Sequence, residues 1–283
     1  DFVATGHYSQ KGTIEVDGNY VHQLLAGADA NKDQSYFLCQ LSQEQLAKAL
    51  FPIGHLQKSE VREIAKQAGL VTAEKKDSQG LCFIGKVRLP DFLQQQLKPK
   101  QGNIIQISED FTDYQHHQLP ISKAPQDWSQ EELDSICIPL AYQPSQGKVI
   151  GEHRGAHYFT VGQRKGLHIG GRPEPSFVIG IDTNNNIVYS GQTENHPGLN
   201  RWALKLEATE ISWFNEHPTF QKEGILKCQV RIRYRQPLQN ATLILKGNEH
   251  FILFETLQKG ITPGQFAAWY QGQELLGSGV IAH

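Results

Sequence analysis

Cys82 lies in Lys76-Asp77-Ser78-Gln79-Gly80-Leu81-Cys82-Phe83-Ile84-Gly85, one thiol between two glycines, with a charged approach, Glu74-Lys75-Lys76-Asp77, on one side. A free thiol ionises near pH ~8.5, so only a few per cent is the nucleophilic thiolate at neutral pH unless cations stabilise it. Lys75 and Lys76 can supply that field. The run Leu81-Cys82-Phe83-Ile84 also describes a small buried hydrophobe, the usual place of a free cysteine and the reading that the local residues favour. On local residues both readings stand.

Other groups suit anions or nucleic acid. Gly6 follows Phe2-Val3-Ala4-Thr5, which reads as a buried strand. A glycine turn after a strand is where α/β sheets let a backbone approach a ligand, and it is also how ordinary turns are made. The polar run Ala28-Asp29-Ala30-Asn31-Lys32-Asp33-Gln34-Ser35 is a loop in which Lys32 and Gln34 can hold phosphate or base edges while Asp33 orients them. Residues 160–171 carry four glycines and the adjacent cations Arg164 and Lys165, which can bring backbone amides and positive charge to an anion without forming a Walker loop. In residues 228–235, strand alternation puts Val230, Ile232 and Tyr234 on one face and Arg231, Arg233 and Arg235 on the other. Three guanidinium groups side by side call for carboxylates, phosphates or solvent opposite them.

These residues need elements to hold them. Ser42 and Gln45 have capping-box spacing, predicting a short helix through Leu46 and Leu50 that Pro52 and Gly54 end. Ser59 opens a second helix, with Val61, Ile64, Ala65 and Ala68 at helical spacing and Gly69 as its C-terminal cap. A further short helix is expected from Pro90 to about Pro99, and β runs from Gly102. Residues 108–145, polar and punctuated by Pro120, Pro125, Pro139 and Pro144, read as an excursion on the surface. Gly247-Asn248 joins two apolar runs as a hairpin, and Thr262-Pro263-Gly264-Gln265 is a turn before the closing strands 266–270 and 279–281. Short strands with Gly and Pro turns predict a small antiparallel barrel.

A chain of 283 residues with 39% hydrophobic content is long enough for two or three domains. The net charge of −2 excludes a generally basic protein, so nucleic-acid contacts must come from local patches. No run approaches the ~20 apolar residues of a membrane span and the start lacks a signal-peptide pattern, so a cytoplasmic protein without a membrane partner is expected. Cys39, Cys82, Cys137 and Cys228 lie far apart with no metal-ligand spacing, and His116-His117 reads as solvated, so no protein-bound metal is expected. The chain has no methionine and opens inside a strand, from which an N-terminal part before Asp1 is expected.

Taken in order, Ala-Thr-Gly-His-Tyr (4–8), Asn-Lys-Asp-Gln-Ser-Tyr-Phe-Leu (31–38), Lys-Asp-Ser-Gln-Gly-Leu-Cys-Phe-Ile-Gly (76–85), Gly-Gln-Arg-Lys-Gly-Leu-His-Ile-Gly-Gly (162–171), Arg-Tyr-Arg-Gln (233–236) and Thr-Pro-Gly-Gln (262–265) closely resemble the tRNA-specific 2-thiouridylase family, bacterial with mitochondrial relatives. The resemblance spans nearly the whole chain. It implies a multidomain α/β plus β fold: the end of an ATP-pyrophosphatase domain (adenine nucleotide alpha hydrolase-like) over 1–86, a central mostly β domain over 87–198 containing the 108–145 excursion, and a C-terminal antiparallel β-barrel over 199–283.

The implied activity is ATP-dependent 2-thiolation of the wobble uridine of tRNA. The uridine C2 oxygen is adenylated and sulfur then arrives as a persulfide on Cys82, which forms a transient disulfide with a cysteine upstream of Asp1. Matched by position, Gly6 touches ATP, and His7, Lys32, Asp33, Gln34, Arg233, Tyr234 and Gln265 touch tRNA. ATP with Mg2+ is the implied cofactor. The implied partners are tRNAs of the Lys, Glu and Gln type and a persulfide donor such as a cysteine desulfurase or sulfur relay protein. Two alternatives stand beside this: a non-catalytic RNA-binding module with a structural Cys82, and another ATP-pyrophosphatase-type ligase, which leaves the three arginines unexplained.

Overall fold

In a computed structural model, residues 1–74, 92, 97–117, 123–215 and 217–283 are described. The cysteine loop, with Cys82, Lys75 and Lys76, lies outside them, as does the helix expected after Pro90 apart from Phe92.

The chain begins with Val3–Ala4 (β1), a hairpin of Ser9–Val16 (β2) and Asn19–Ala26 (β3), the helix Gln43–Lys48 (α1), the short strand Ala49–Leu50 (β4) and the helix Lys58–Gln67 (α2). β1 pairs in parallel with β4. Phe2 and Val3 are each 68% exposed in this chain, and β4 is the one strand partner of β1 among the described residues. The Ser42 hydroxyl accepts from Gln45 N at 3.2 Å and the Gln45 side chain accepts from Ser42 N at 2.9 Å, so the predicted capping box starts α1. The helix stops at Lys48, short of Leu50, which is drawn into β4. α2 is capped by Gln57, two residues before the expected Ser59, with the Glu60 carboxylate accepting from Gln57 N at 2.6 Å, and Gly69 beyond its end takes the left-handed φ of +66°.

A second unit comprises Gly102–Gln106 (β5), Gln130–Cys137 (α3), Lys148–His153 (β6), Ser176–Asp182 (β7) and Ile187–Gln192 (β8). Its sheet runs β6-β5-β8-β7, with β5 and β8 parallel. Ile105, Tyr114, Tyr142, Phe177 and Tyr189 pack on one face, and Ile104, Leu167, Val178 and Val188 on the other.

The stretch read as a surface excursion is instead a strap. Ser129 and Glu132 cap α3, whose Leu133, Ile136 and Cys137 bury with Trp128 against Ala203, Ile244 and Phe251 of the last unit. Apolar burial of this kind, about 1.5–3 kcal/mol per large side chain, outweighs the polar composition of the surrounding residues.

That last unit is Asn200–Trp213 (β9), Pro218–Glu223 (α4), Ile225–Arg231 (β10), Gln239–Lys246 (β11), Glu249–Lys259 (β12), Phe266–Gln271 (β13) and Glu274–Ile281 (β14). The antiparallel order β13-β10-β11-β12-β9-β14 closes through β13–β14 into a six-stranded barrel, as predicted. Closure leaves few unpaired edges. Gly247 turns the β11–β12 hairpin at φ +60°. β3 adds to β14 through Leu24 and Leu25, so the β2–β3 hairpin extends the barrel sheet outwards. Leu24, Tyr36, Cys39, Leu46, Tyr270 and Leu275 share one core beneath this join. Among the described residues no helix is long and apolar enough to cross a membrane.

Candidate nucleic-acid interface

β10 ends at Arg231, so the alternation expected to reach Arg235 breaks and the three arginines do not share a face. Arg231 turns inwards. Its Nη1 donates to Asp33 Oδ2 at 2.9 Å, with only 10% and 3% of the two side chains exposed, and its Cζ lies 5.0 Å from the centroid of the Tyr270 ring. The other Asp33 oxygen accepts from Gly27 N at 3.1 Å and Ser35 N at 3.0 Å. This carboxylate has protein partners on both oxygens, so its side chain is engaged inside the protein. A buried carboxylate needs partners of this kind, and a cation together with two amides meets the need. The result is to fix the 31–38 loop on the barrel, helped by Tyr36, whose hydroxyl donates to Phe266 O at 2.9 Å and whose pKa burial pushes up to about 12.

Arg233 is half-buried and donates to the carbonyls of Gly260 and Val161. Gly162 and Gly260, both at positive φ, form the walls of its slot. A Cβ on Gly260 would fall 2.5 Å from Arg233 Nη2, and one on Gly162 would fall 3.1 Å away. Burial lowers the Arg233 pKa, yet a guanidinium starts so high that it stays charged. Arg233, Gln265, Thr262 and Gly162 line one cavity of about 360 Å³. The structure thus brings two of the predicted tRNA contacts together.

Tyr234 and Arg235 occupy the turn after β10, Arg235 at φ +66°. Phe37, 56% exposed, packs against Tyr234 with ring centroids 4.4 Å apart and planes tilted by 41°, and Arg235 Cζ lies 5.2 Å from the Tyr234 centroid. Exposed aromatic side chains are surfaces on which bases can stack. Phe37 was missed in the sequence, where its only signal is a second aromatic beside Tyr36 after the polar loop.

The remaining predicted residues gather near the chain start. Gly6 is exposed, with no atom within 4 Å of where a Cβ would sit, so a ligand can approach its backbone. Thr5 Oγ1 and His7 Nδ1 are hydrogen-bonded at 2.7 Å, and burial lowers the His7 pKa, leaving a neutral ring at pH 7. Gln34 is tied to Tyr8, whose N–H donates to the Gln34 side chain at 3.0 Å and whose carbonyl accepts from Gln34 N at 2.9 Å. Lys32 is partly buried, its amide donating to Asp29 O at 2.9 Å. Asp33 joins this group to the Arg233 group through Arg231.

Cys39, Cys137 and Cys228 are free and buried, and burial pushes their thiols up, Cys137 and Cys228 to about 12. None of the three is poised to ionise at neutral pH. No group of three or more His, Cys, Asp or Glu among the described residues could hold a metal ion.

Comparison with known proteins matches three family descriptions to successive parts of the chain: a tRNA methyl transferase HUP domain over residues 1–86, a tRNA methyl transferase PRC-barrel domain over 141–192 and an aminomethyltransferase beta-barrel domain over 204–281. Over 282 residues the chain is 57% identical to the tRNA-specific 2-thiouridylase MnmA of Flavobacterium johnsoniae and 54% identical to that of Christiangramia forsetii. In both cases all of this chain aligns with 70% of the relative. The corresponding protein of Karelsulcia muelleri is 43% identical over the same length. With whole-chain identity at this level, and a closed barrel carrying the Arg233 and Gln265 cavity, the chain belongs to the tRNA-specific 2-thiouridylase family.

Proposed function

We propose that this chain carries out ATP-dependent 2-thiolation of the wobble uridine (position 34) of tRNA. The uridine C2 oxygen attacks the α-phosphorus of ATP, expelling pyrophosphate and making that oxygen part of an AMP leaving group. The terminal sulfur of a Cys82 persulfide then attacks C2 and AMP departs. A second thiolate attacks the Cys82 sulfur, leaving a disulfide on the protein and the sulfur on the base. The buried, protonated thiols of Cys39, Cys137 and Cys228 are poorly suited to that second role. The resemblance puts the second thiol outside residues 1–283.

Gly6 offers its backbone to ATP, with Mg2+ supplying charge to the phosphates. Arg233, Tyr234 and Gln265 hold tRNA from the barrel, and His7, Lys32 and Gln34 from the first unit. Asp33 acts as a positioning residue through Arg231. The sulfur comes from a cytoplasmic persulfide donor such as a cysteine desulfurase or relay protein, and the substrates are tRNAs of the Lys, Glu and Gln type.

The observation that carries this reading is the Asp33–Arg231 pair, because it fixes the Lys32 and Gln34 loop against the strand that delivers Arg233 and Tyr234. It brings residues far apart in sequence to one seam. The test is product stoichiometry in the full-length protein given tRNA, ATP and a persulfide donor. AMP, pyrophosphate and 2-thiouridine should form one to one to one, and release of ADP with inorganic phosphate would rule out the adenylation route.

A further inference from the structure

The basic glycine loop at 160–171 enters the reading above only through Val161 and Gly162, which border the Arg233 slot. It is rigidly held: Gly162 N donates to Val178 O at 2.8 Å, Val178 N to Gln163 O at 2.9 Å, and the Gln163 side chain closes the turn by accepting from Thr160 N at 3.1 Å and donating to Lys165 O at 2.7 Å. Gly162, Gly166 and Gly171 all take positive φ, and so does His168 at +49°, an unusual backbone for a side chain of that size. Beyond the loop, Arg164, His168, Arg172, Glu174 and Ser176 line a cavity of about 420 Å³.

Two polar groups on residues that line that cavity lack the partners their burial requires. Arg172 Nε and Nη2 are shielded from solvent with no hydrogen-bond partner, and so is Ser176 Oγ. Nε and Nη2 form the side edge of the guanidinium, the fork that matches two oxygens of one phosphate. Buried donors of this kind are normally satisfied. No carboxylate among the described residues pairs with Arg164 or Arg172, although Glu174 lines the same cavity. The loop also joins two cavities, since its Thr160, Gly162 and Gln163 line the one that holds Arg233 and Gln265.

We propose that Arg172, Arg164 and Ser176 form a phosphate site on the central unit and that it takes a backbone phosphate of the bound RNA. Turned out of their shielded positions into the cavity, Arg172 supplies the fork and Ser176 a hydroxyl donor, while the exposed Arg164 adds long-range charge. The site extends the Arg233 and Gln265 contact along the same strand of nucleic acid. This rests on the reading of the chain as a tRNA-binding enzyme.

The test is tRNA affinity of the full-length protein between about 50 and 200 mM salt, for wild type, Arg172→Ala, Arg172→Lys, Arg164→Ala and Arg233→Ala. Arg172→Ala should weaken binding about tenfold at low salt and lower the slope of log affinity against log salt by about one. Arg172→Lys should keep the slope but not the full affinity, since it has charge without the fork. Should Arg172→Ala lower the melting midpoint, the exposed Arg164→Ala gives the decisive slope, which should also fall. Unchanged affinity and slope in the Arg172 and Arg164 variants would overturn the site while an effect of Arg233→Ala left the parent reading intact. Wild type that fails to bind tRNA would overturn both. Inorganic phosphate or pyrophosphate is the other source of the same chemistry. If either raises the melting midpoint of wild type but not of Arg172→Ala, with equal tRNA slopes, the site holds a free anion and the RNA assignment is wrong.

Discussion

Arg231 Nη1 and Asp33 Oδ2 meet at 2.9 Å although the residues lie 198 positions apart, and the two side chains are almost completely buried. The pair joins the polar loop of the first unit to the last residue of β10. It also leaves Arg231 Nε without a partner, so the arginine is held by one strong contact and the Tyr270 ring rather than by a saturated network.

Removing one member should strand the other in a low-dielectric interior. Asp33→Ala or Arg231→Ala should each lower stability by about 3–5 kcal/mol in a denaturant titration. The double variant should lose much less than the sum, because neither charge is then left unpaired. Full additivity would show that the pair does not couple the two units.

The Arg233 slot can be tested without touching the arginine. Gly260→Ala places a methyl against Arg233 Nη2 and strains a backbone at φ +61°. It should therefore reproduce the effect of Arg233→Ala on tRNA binding, a salt slope smaller by about one. His7, neutral at pH 7, should contribute affinity without slope, so His7→Ala should shift the whole salt curve downwards in parallel. A changed slope in His7→Ala would mean that the ring binds as a cation.

Acid should destabilise the central unit through His196. The ring is 1% exposed, accepts from Gly198 N at 3.2 Å and hydrogen-bonds Ile107 O at 3.2 Å, so burial holds its pKa below 6.5 in the folded state. The unfolded chain then binds the proton more readily. Its stabilisation is fully present above pH 6.5 and is lost as pH falls below that value, at up to about 1.4 kcal/mol per pH unit until the folded group itself protonates. A His196→Gln variant should show a shallower loss of melting midpoint between pH 6.5 and 5 than wild type. Equal slopes would move the acid sensitivity to His7, His153 or His250, whose pKa values burial also lowers.

Much of this fold was readable from local chemistry. The Ser42 capping box, the left-handed Gly69 and Gly247 and the closing strands of the barrel all follow from residues within a few positions of one another. What failed depended on distance. Alternation carried the arginine strand to Arg235, but the chain leaves the sheet after Arg231 and turns through Tyr234 and Arg235. No local pattern could pair Arg231 with Asp33. The strap was hidden for another reason: Pro and polar residues around it masked Ser129-x-x-Glu132 and the apolar Leu133, Ile136 and Cys137 that follow. The anion-binding reading of 160–171 came from composition, which gives no sign of the unpartnered edge of Arg172 just beyond it.

Thiol reactivity separates a carrier from a structural cysteine. Cys39, Cys137 and Cys228 are buried with thiols pushed up, so a small alkylating reagent at neutral pH should label Cys82 well before any of them. Peptide mapping over time checks this. Labelling of Cys82 no faster than Cys39 would favour the buried-hydrophobe reading.

The most direct test of the central claim is the 2-thiouridine content at position 34 of tRNA treated with full-length Cys82→Ser, measured beside its tRNA affinity. The account predicts no thiolated product and affinity within about twofold of wild type, because the phosphate contacts that dominate binding lie elsewhere. Normal thiolation by Cys82→Ser would contradict it.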